Sequence, residues 1–216
     1  EMTLNTIINM YGKNGQVGLA LQLYRDMKTA GRNPDVVTYT VLIDSLGKAN
    51  KITEAAQVMS EMLNAGVKPT VRTYSALICS YAKAGKRMNA EEMFNCMLRS
   101  GIKPDRLAYS VMLDIHLRSN ETKKAMMLYR EMVDDGFLPD LSLYEVMLRV
   151  LGREKKSESI EKLIKDLEEL HELSPHIISS ILTKGECYDF AAEMWRLAIA
   201  TGYSLDNENW LSILSS

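Results

Sequence analysis

Three cysteines in 216 residues, at 79, 96 and 187, are too few and too irregularly spaced for a disulfide framework. They read as inert buried thiols or as the mark of a reducing compartment. No apolar run approaches the roughly 18 residues that cross a bilayer, so no membrane association is expected. A basic stretch followed by an apolar segment and a small-residue cleavage site, the pattern of a secretory signal, is also missing. Charge of one sign is not in excess: 26 Lys and Arg face 28 Asp and Glu, a net of −2. That balance argues against indiscriminate nucleic-acid binding and leaves room for a local basic stripe. Cys-x-x-Cys, His-x-Glu and the phosphate-cradling Gly-x4-Gly-Lys-Ser/Thr are all absent, which removes a zinc deaminase centre and a nucleotide loop. His171, Glu172 and His176 imitate a zinc-protease motif, but the histidines are one residue too far apart and Pro175 breaks the helix between them. No metal, cofactor or catalytic group is expected. With 46% apolar and 25% charged residues, the chain is ordinary globular material rather than disordered or collagenous. A helical pattern is already running at Glu1, which suggests a piece cut from something longer.

What the chain does have is a period. Tyrosines stand at 39, 74, 109 and 144, glycines at 31, 66, 101 and 136, and prolines at 34, 69, 104 and 139. Alanines at 20, 55, 90 and 125 and methionines at 27, 62, 97 and 132 keep the same spacing of 35. Each column has a physical task. Gly-x-x-Pro, as in Gly66-Val67-Lys68-Pro69, ends a helix through a left-handed residue and blocks its continuation. Asp35, Thr70, Asp105 or Asp140 follows directly, in position to cap the next helix. In the second unit Tyr39, Leu42, Ile43 and Leu46 fall at i, i+3, i+4 and i+7, predicting a first helix from about Val37 to Ala49. After the polar break Ala49-Asn50-Lys51, a second helix from about Thr53 to Ala65 buries Ala55, Val58, Met59 and Met62. The alanine column lets the two helices approach, and the methionine column fills core.

One helix pair cannot bury both its apolar faces, so neighbouring pairs must stack. The expected fold is all-α, a right-handed superhelical solenoid of antiparallel helix pairs. Its units are 1–35, 36–70, 71–105, 106–140, a degenerate fifth at 141–175, and a shortened sixth at 176–206 marked by Ala192. A partial capping helix is expected at 207–216. In the fifth unit Ile160, Leu167 and His171 replace the Ala, Met and Gly of the pattern, and Pro175 comes one place late.

The stretch VVTYTVLIDSLGKANKITEAAQVMSEMLNAGVKPT (36–70), together with 71–105, 106–140 and less closely 1–35, resembles the pentatricopeptide repeat family, in its pure 35-residue class. The resemblance covers about two-thirds of the chain strongly. It implies a plant organellar RNA-binding protein, chloroplast favoured over mitochondrion, acting in RNA processing, transcript stabilisation or intron splicing without catalysis. In that family each unit reads one base of single-stranded RNA through its fifth and last residues. Carried over, the base-reading pairs are Asn5 with Asp35 for U and Thr40 with Thr70 for a purine. Ser75 with Asp105 and Ser110 with Asp140 would read G, whereas Glu145 with Pro175 fits no pair and is silent. The implied target is 5′-U-purine-G-G-3′. The second residue of each unit sandwiches the base: Met2, Val37 and Leu107 suit this, Arg72 could stack through its guanidinium, and Ser142 could not.

The thirteenth residue, Lys13, Lys48, Lys83, Arg118 or Arg153, is basic in every unit. Positions 2, 5, 9 and 13 share one helix face, so this column could track phosphates. A lysine near a helix C-terminus is also favoured by the helix dipole, and the aspartates would cap helices whatever the protein did. Residues 1–105 carry 13 basic and 9 acidic residues, a net of +4, while 106–216 carry 13 and 19, a net of −6. The readable end is the basic one. The competing expectation is a protein–protein interaction scaffold, which the acidic fifth and sixth units would suit. Protein partners through those units, and self-association through exposed solenoid ends, are further expectations. Four bases give too little affinity and too common a target for one transcript, so a longer array or a partner is expected.

Overall fold

The computed structural model describes residues 4–200. Met2 and the segment 207–216 lie outside the described residues, as does the end of the shortened sixth unit. Within them the chain is all-α, with no strand. The helices are α1 (Leu4–Lys13), α2 (Val17–Thr29), α3 (Val36–Lys48), α4 (Ile52–Asn64), α5 (Val71–Lys83) and α6 (Arg87–Arg99). They continue as α7 (Arg106–Arg118), α8 (Thr122–Asp134), α9 (Leu141–Arg153), α10 (Ser157–Glu169), α11 (Pro175–Lys184) and α12 (Tyr188–Ala200). The chain forms two compact units, Glu1–Ile115 and His116–Ser216.

The helix ends follow the sequence chemistry. Asp35, Thr70 and Asp140 cap α3, α5 and α9 by accepting from the backbone N–H of Thr38, Thr73 and Leu143. Asp105 accepts from Ala108 N–H at 2.9 Å in the same way. The second helices close on left-handed glycines: at Gly66 (φ 72°), Gly66 N–H bonds Leu63 C=O and Val67 N–H bonds Met62 C=O, both at 3.0 Å. Those two bonds satisfy carbonyls that the helix end would otherwise orphan. Asn50 (φ 59°) and Asn120 (φ 57°) make the left-handed step between the two helices of a pair. Helices α3 and α4 each begin one residue earlier than the apolar pattern suggests, because the cap at Asp35 lets the helix start at once and Asn50 stops it.

Beyond residue 170 the register slips. His171 gives no left-handed turn; Glu172 takes it instead, at φ 51°. The cap position before α11 is Ser174, and Pro175 occupies the first helical turn, where its missing N–H is not needed. The buried alanine of α12 is accordingly Ala191, which is wholly inaccessible, and not Ala192.

In the first unit, α1, α3 and α5 pack side by side, with α2, α4 and α6 behind them. The Tyr, Ala and Met columns form the core: Ala20, Ala55, Ala90, Met62 and Met97 have no exposed surface. First helices approach through a small-residue seam that the period does not advertise. Ser45 Oγ donates to the Gly12 carbonyl at 2.9 Å, and a β-carbon on Gly12 would sit 2.6 Å from Val41 Cγ1. A β-carbon on Gly47 would overlap Ser80 Oγ and lie 2.9 Å from Ser80 Cβ. In the second unit, α9 packs on α10 and α11, and α11 on α12.

Candidate nucleic-acid interface

The face to be tested is built by the first helix of each pair, with the cap residue of the next. Ser75 in α5 is buried, and its Oγ donates to Asp105 Oδ1 at 2.8 Å. The same Oδ1 takes the capping bond from Ala108 N–H, so neither bond uses Oδ2. Capping and pairing are therefore done by one oxygen, and the cap holds the carboxylate still.

Thr40 and Thr70 are arranged differently. Thr40 Oγ1 donates to the Val36 carbonyl at 2.8 Å and lies 2.7 Å from Thr73 Oγ1. Thr73 Oγ1 in turn lies 3.1 Å from Thr70 Oγ1. A third hydroxyl thus stands between the two predicted readers. At the start of the array, Asp35 caps α3 at 2.8 Å from Thr38 N–H. Asn5 is half-buried on α1, and its Oδ1 is shielded from solvent without a hydrogen-bond partner. Ser110 is half-buried on α7 and Asp140 is exposed at the α9 cap, 2.9 Å from Leu143 N–H. Glu145 is engaged by Lys184 at 3.3 Å.

The second-position side chains stand in solvent. Val37 and Leu107 are each 52% exposed, an unusual place for branched apolar groups at the head of a helix, and Arg72 is exposed as well. The basic column Lys13, Lys48, Lys83, Arg118 and Arg153 is exposed throughout. Lys48 makes an i,i+4 pair with Asp44 at 2.7 Å, and Arg153 meets Glu186 at 3.2 Å. In the first unit Lys13, Lys48 and Arg72 line one groove of about 460 Å³ with Asp44 and Ser45. Arg72, which the resemblance assigns to base stacking, lines this groove with two members of the basic column.

Two of the three thiols are quiet. Burial raises the Cys79 thiol above its ordinary value despite Lys83 nearby, and burial with Glu186 pushes Cys187 up to about 11. Both are therefore protonated near neutrality and poor nucleophiles. On the second-helix side, a bond not foreseen from the sequence recurs. Tyr24 donates to Glu61 at 2.6 Å and Tyr129 to Asp166 at 2.5 Å, in both cases 37 residues on. The signal was present: both tyrosines and both carboxylates are 105 residues apart, three full periods. Burial would raise the Glu61 carboxyl, but donation from Lys28 and Tyr24 outweighs it and holds the group below the usual carboxylate value.

Against known proteins, the PPR repeat family model matches residues 1–48, 34–83 and 74–116, and the PPR repeat model matches 107–137. Together these cover more than half of the chain, which belongs to the pentatricopeptide repeat family. A chloroplastic pentatricopeptide repeat-containing protein of Arabidopsis thaliana is 63% identical over 61 residues, 28% of this chain and 4% of that protein. The crystal structure of a maize pentatricopeptide repeat protein superposes with a TM-score of 0.55 at 22% identity, over 94% of this chain and 34% of the other. The repeat domain of Arabidopsis thaliana protein-only RNase P 1, in complex with tRNA, gives 0.72 at 20% identity, over 85% and 96%. These likenesses show the helical-repeat solenoid fold. The chain spans only a small part of the curated relative and about a third of the maize protein.

Proposed function

We propose that the chain binds single-stranded RNA along the face of its first helices, one base per repeat, without a catalytic step. The observation that carries this is the Ser75–Asp105 pair, which joins the fifth and last residues of one repeat at 2.8 Å beside the exposed basic column. Its chemistry selects. Ser75 has one proton and gives it to Asp105, so the pair faces a ligand as an acceptor only. Among the four bases, guanine alone offers two adjacent donors, N1–H and N2–H2, on its Watson–Crick edge, and these match two neighbouring acceptors. By the family's scheme Asn5 and Asp35 receive U, Ser110 and Asp140 a second G, and Thr40 and Thr70 the base between. Val37, Arg72 and Leu107 lie against the base faces, with Met2 in the same column, and the basic column follows the phosphates.

Relatives support the class of ligand: one structural neighbour was solved with tRNA, and the maize protein was also solved with an 18-nt psaJ RNA element. The chloroplastic relative supports an organellar, plastid setting, where occupancy of RNA would protect, process or help splice a transcript. The partner proposed is RNA; the acidic second half is where protein partners would sit.

The test is fluorescence anisotropy at low salt with short unstructured RNAs containing U-A-G-G or U-G-G-G, beside the same RNAs with both final G's changed to U. The G-containing RNAs should bind at least fivefold tighter, and Ser75→Asn with Ser110→Asn should remove that margin. Equal binding to all of them, erased by salt, would leave only the basic column. No binding to any of them would favour the protein-scaffold function.

A further inference from the structure

We infer that Thr73, which belongs to the third repeat, decides what the second repeat can read, and that it leaves the second base unselected. This rests on the base-reading function above and departs from the purine that the family scheme gives for Thr40. A hydroxyl has a single proton. Thr40 spends its proton on the Val36 carbonyl at 2.8 Å, so in the 2.7 Å contact with Thr73 it must accept. Thr73 then has no proton left for Thr70, and in their 3.1 Å contact Thr70 is the donor. Thr73 Oγ1 also accepts from Thr70 N–H at 3.1 Å, which fills its second lone pair. The chain therefore runs from Thr70 to Thr73 to Thr40 to the Val36 carbonyl, with every hydroxyl proton committed.

Thr73 has no exposed surface and Thr40 is 5% exposed, so water does not compete for these bonds. What remains toward a ligand is a neutral lone pair on Thr40 and one on Thr70. Every base carries at least one Watson–Crick donor, so isolated neutral acceptors do not choose among them. The next repeat shows the contrast. Where Thr73 stands in the third repeat, the fourth carries Ala108, which has no hydroxyl. There Ser75 reaches the capping carboxylate of Asp105 directly. Thr73 occupies, in repeat two, the place that carboxylate takes in repeat three. Thr38, at the same place behind Asp35, leaves its hydroxyl without a partner, so the interposition belongs to Thr73 and its contact with Thr40.

The experiment uses the whole chain and four RNAs, 5′-U-N-G-G-3′ with each base at N, in competition anisotropy. The parent protein should bind all four within about twofold. Thr70→Asp alone should leave that flat profile, whereas Thr70→Asp with Thr73→Ala, which copies the Ser75–Asp105–Ala108 arrangement, should prefer G at N by at least fivefold. Thr70→Asp with Thr73→Val keeps the side-chain shape without the hydroxyl and should behave as the Ala pair does. Circular dichroism confirms that each variant is folded. A Thr70→Asp single variant as selective as the double, or a parent that already prefers purines severalfold, would overturn the role of Thr73. A parent indifferent to G or U at the third and fourth positions would instead overturn the base-reading function, and this inference with it.

Discussion

Asp105 shows why single residues in this chain are ambiguous when read one at a time. An aspartate directly after Gly-x-x-Pro caps a helix in any protein, and Asp105 does so. Only the bond from Ser75, 30 residues earlier, gives the same oxygen a second use. The resemblance to the family made that pairing legible, because it couples the fifth and last residues of a unit, and the 35-residue register says which residues those are. Thr73 was not legible. Its partners lie 33 residues before it and three residues before it, and the longer link depends on how neighbouring first helices are offset, which no local pattern encodes. The basic column also divides at this scale. Among the described residues Lys13 and Lys83 make no ion pair, while Lys48 already has Asp44 and Arg153 has Glu186 as a partner. Replacing Lys13 and Lys83 together by Ala should weaken RNA binding about fivefold or more and flatten its salt dependence, measured by anisotropy across ionic strengths. Arg153→Ala should change affinity less than twofold. Equal losses from both would remove the assignment of the phosphate path to the first unit.

Elements were the most legible level. The apolar spacing gave the helix type, and the Gly and Asp columns gave the ends to within one residue. That Pro175 comes one place late was legible, but its consequence escaped: Ser174 takes the cap position and the proline moves from ahead of the cap into the helix itself. The glycine seam escaped for a related reason: Gly12, Gly47 and Gly152 share the period, but Ala82 and Leu117 interrupt it. Its packing is checked by two glycines with opposite surroundings. Gly47→Ala places a methyl against Ser80 and should lower stability by about 1–3 kcal/mol. Gly18→Ala meets nothing within 4 Å and should raise stability by up to about 1 kcal/mol through helix propensity. Thermal melts compare them, and equal effects would contradict the seam. The Tyr24–Glu61–Lys28 cluster predicts a pH effect. Because folding lowers the Glu61 carboxyl below its unfolded value, its stabilising contribution is complete above the unfolded value and is lost as pH falls through the folded one. Glu61→Gln should therefore flatten the acid limb of stability against pH, and an unchanged limb would show that the cluster contributes nothing.

At the scale of the whole chain, charge and readable pairs coincide. Residues 1–105 carry a net of +4 and hold the first three predicted reading pairs, whereas 106–216 carry −6. Three exposed lysines on a single strand correspond to a salt slope of about −2, since each phosphate neutralised contributes roughly −0.7. Stacking of four bases at about 1.5 kcal/mol each totals roughly 6 kcal/mol, a dissociation constant of tens of micromolar. Affinity on that scale makes discrimination between RNAs, rather than absolute binding, the quantity to measure. The most direct test is a specificity exchange at one repeat. The chain and its Ser75→Asn variant are titrated with 5′-U-A-G-G-3′ and 5′-U-A-U-G-3′, so that only the third base and residue 75 change. The parent should prefer G at the third base by at least fivefold, and the variant, whose pair then matches Asn5 with Asp35, should prefer U. Identical ranking of the two RNAs by both proteins would contradict base reading through the fifth and last residues of each repeat.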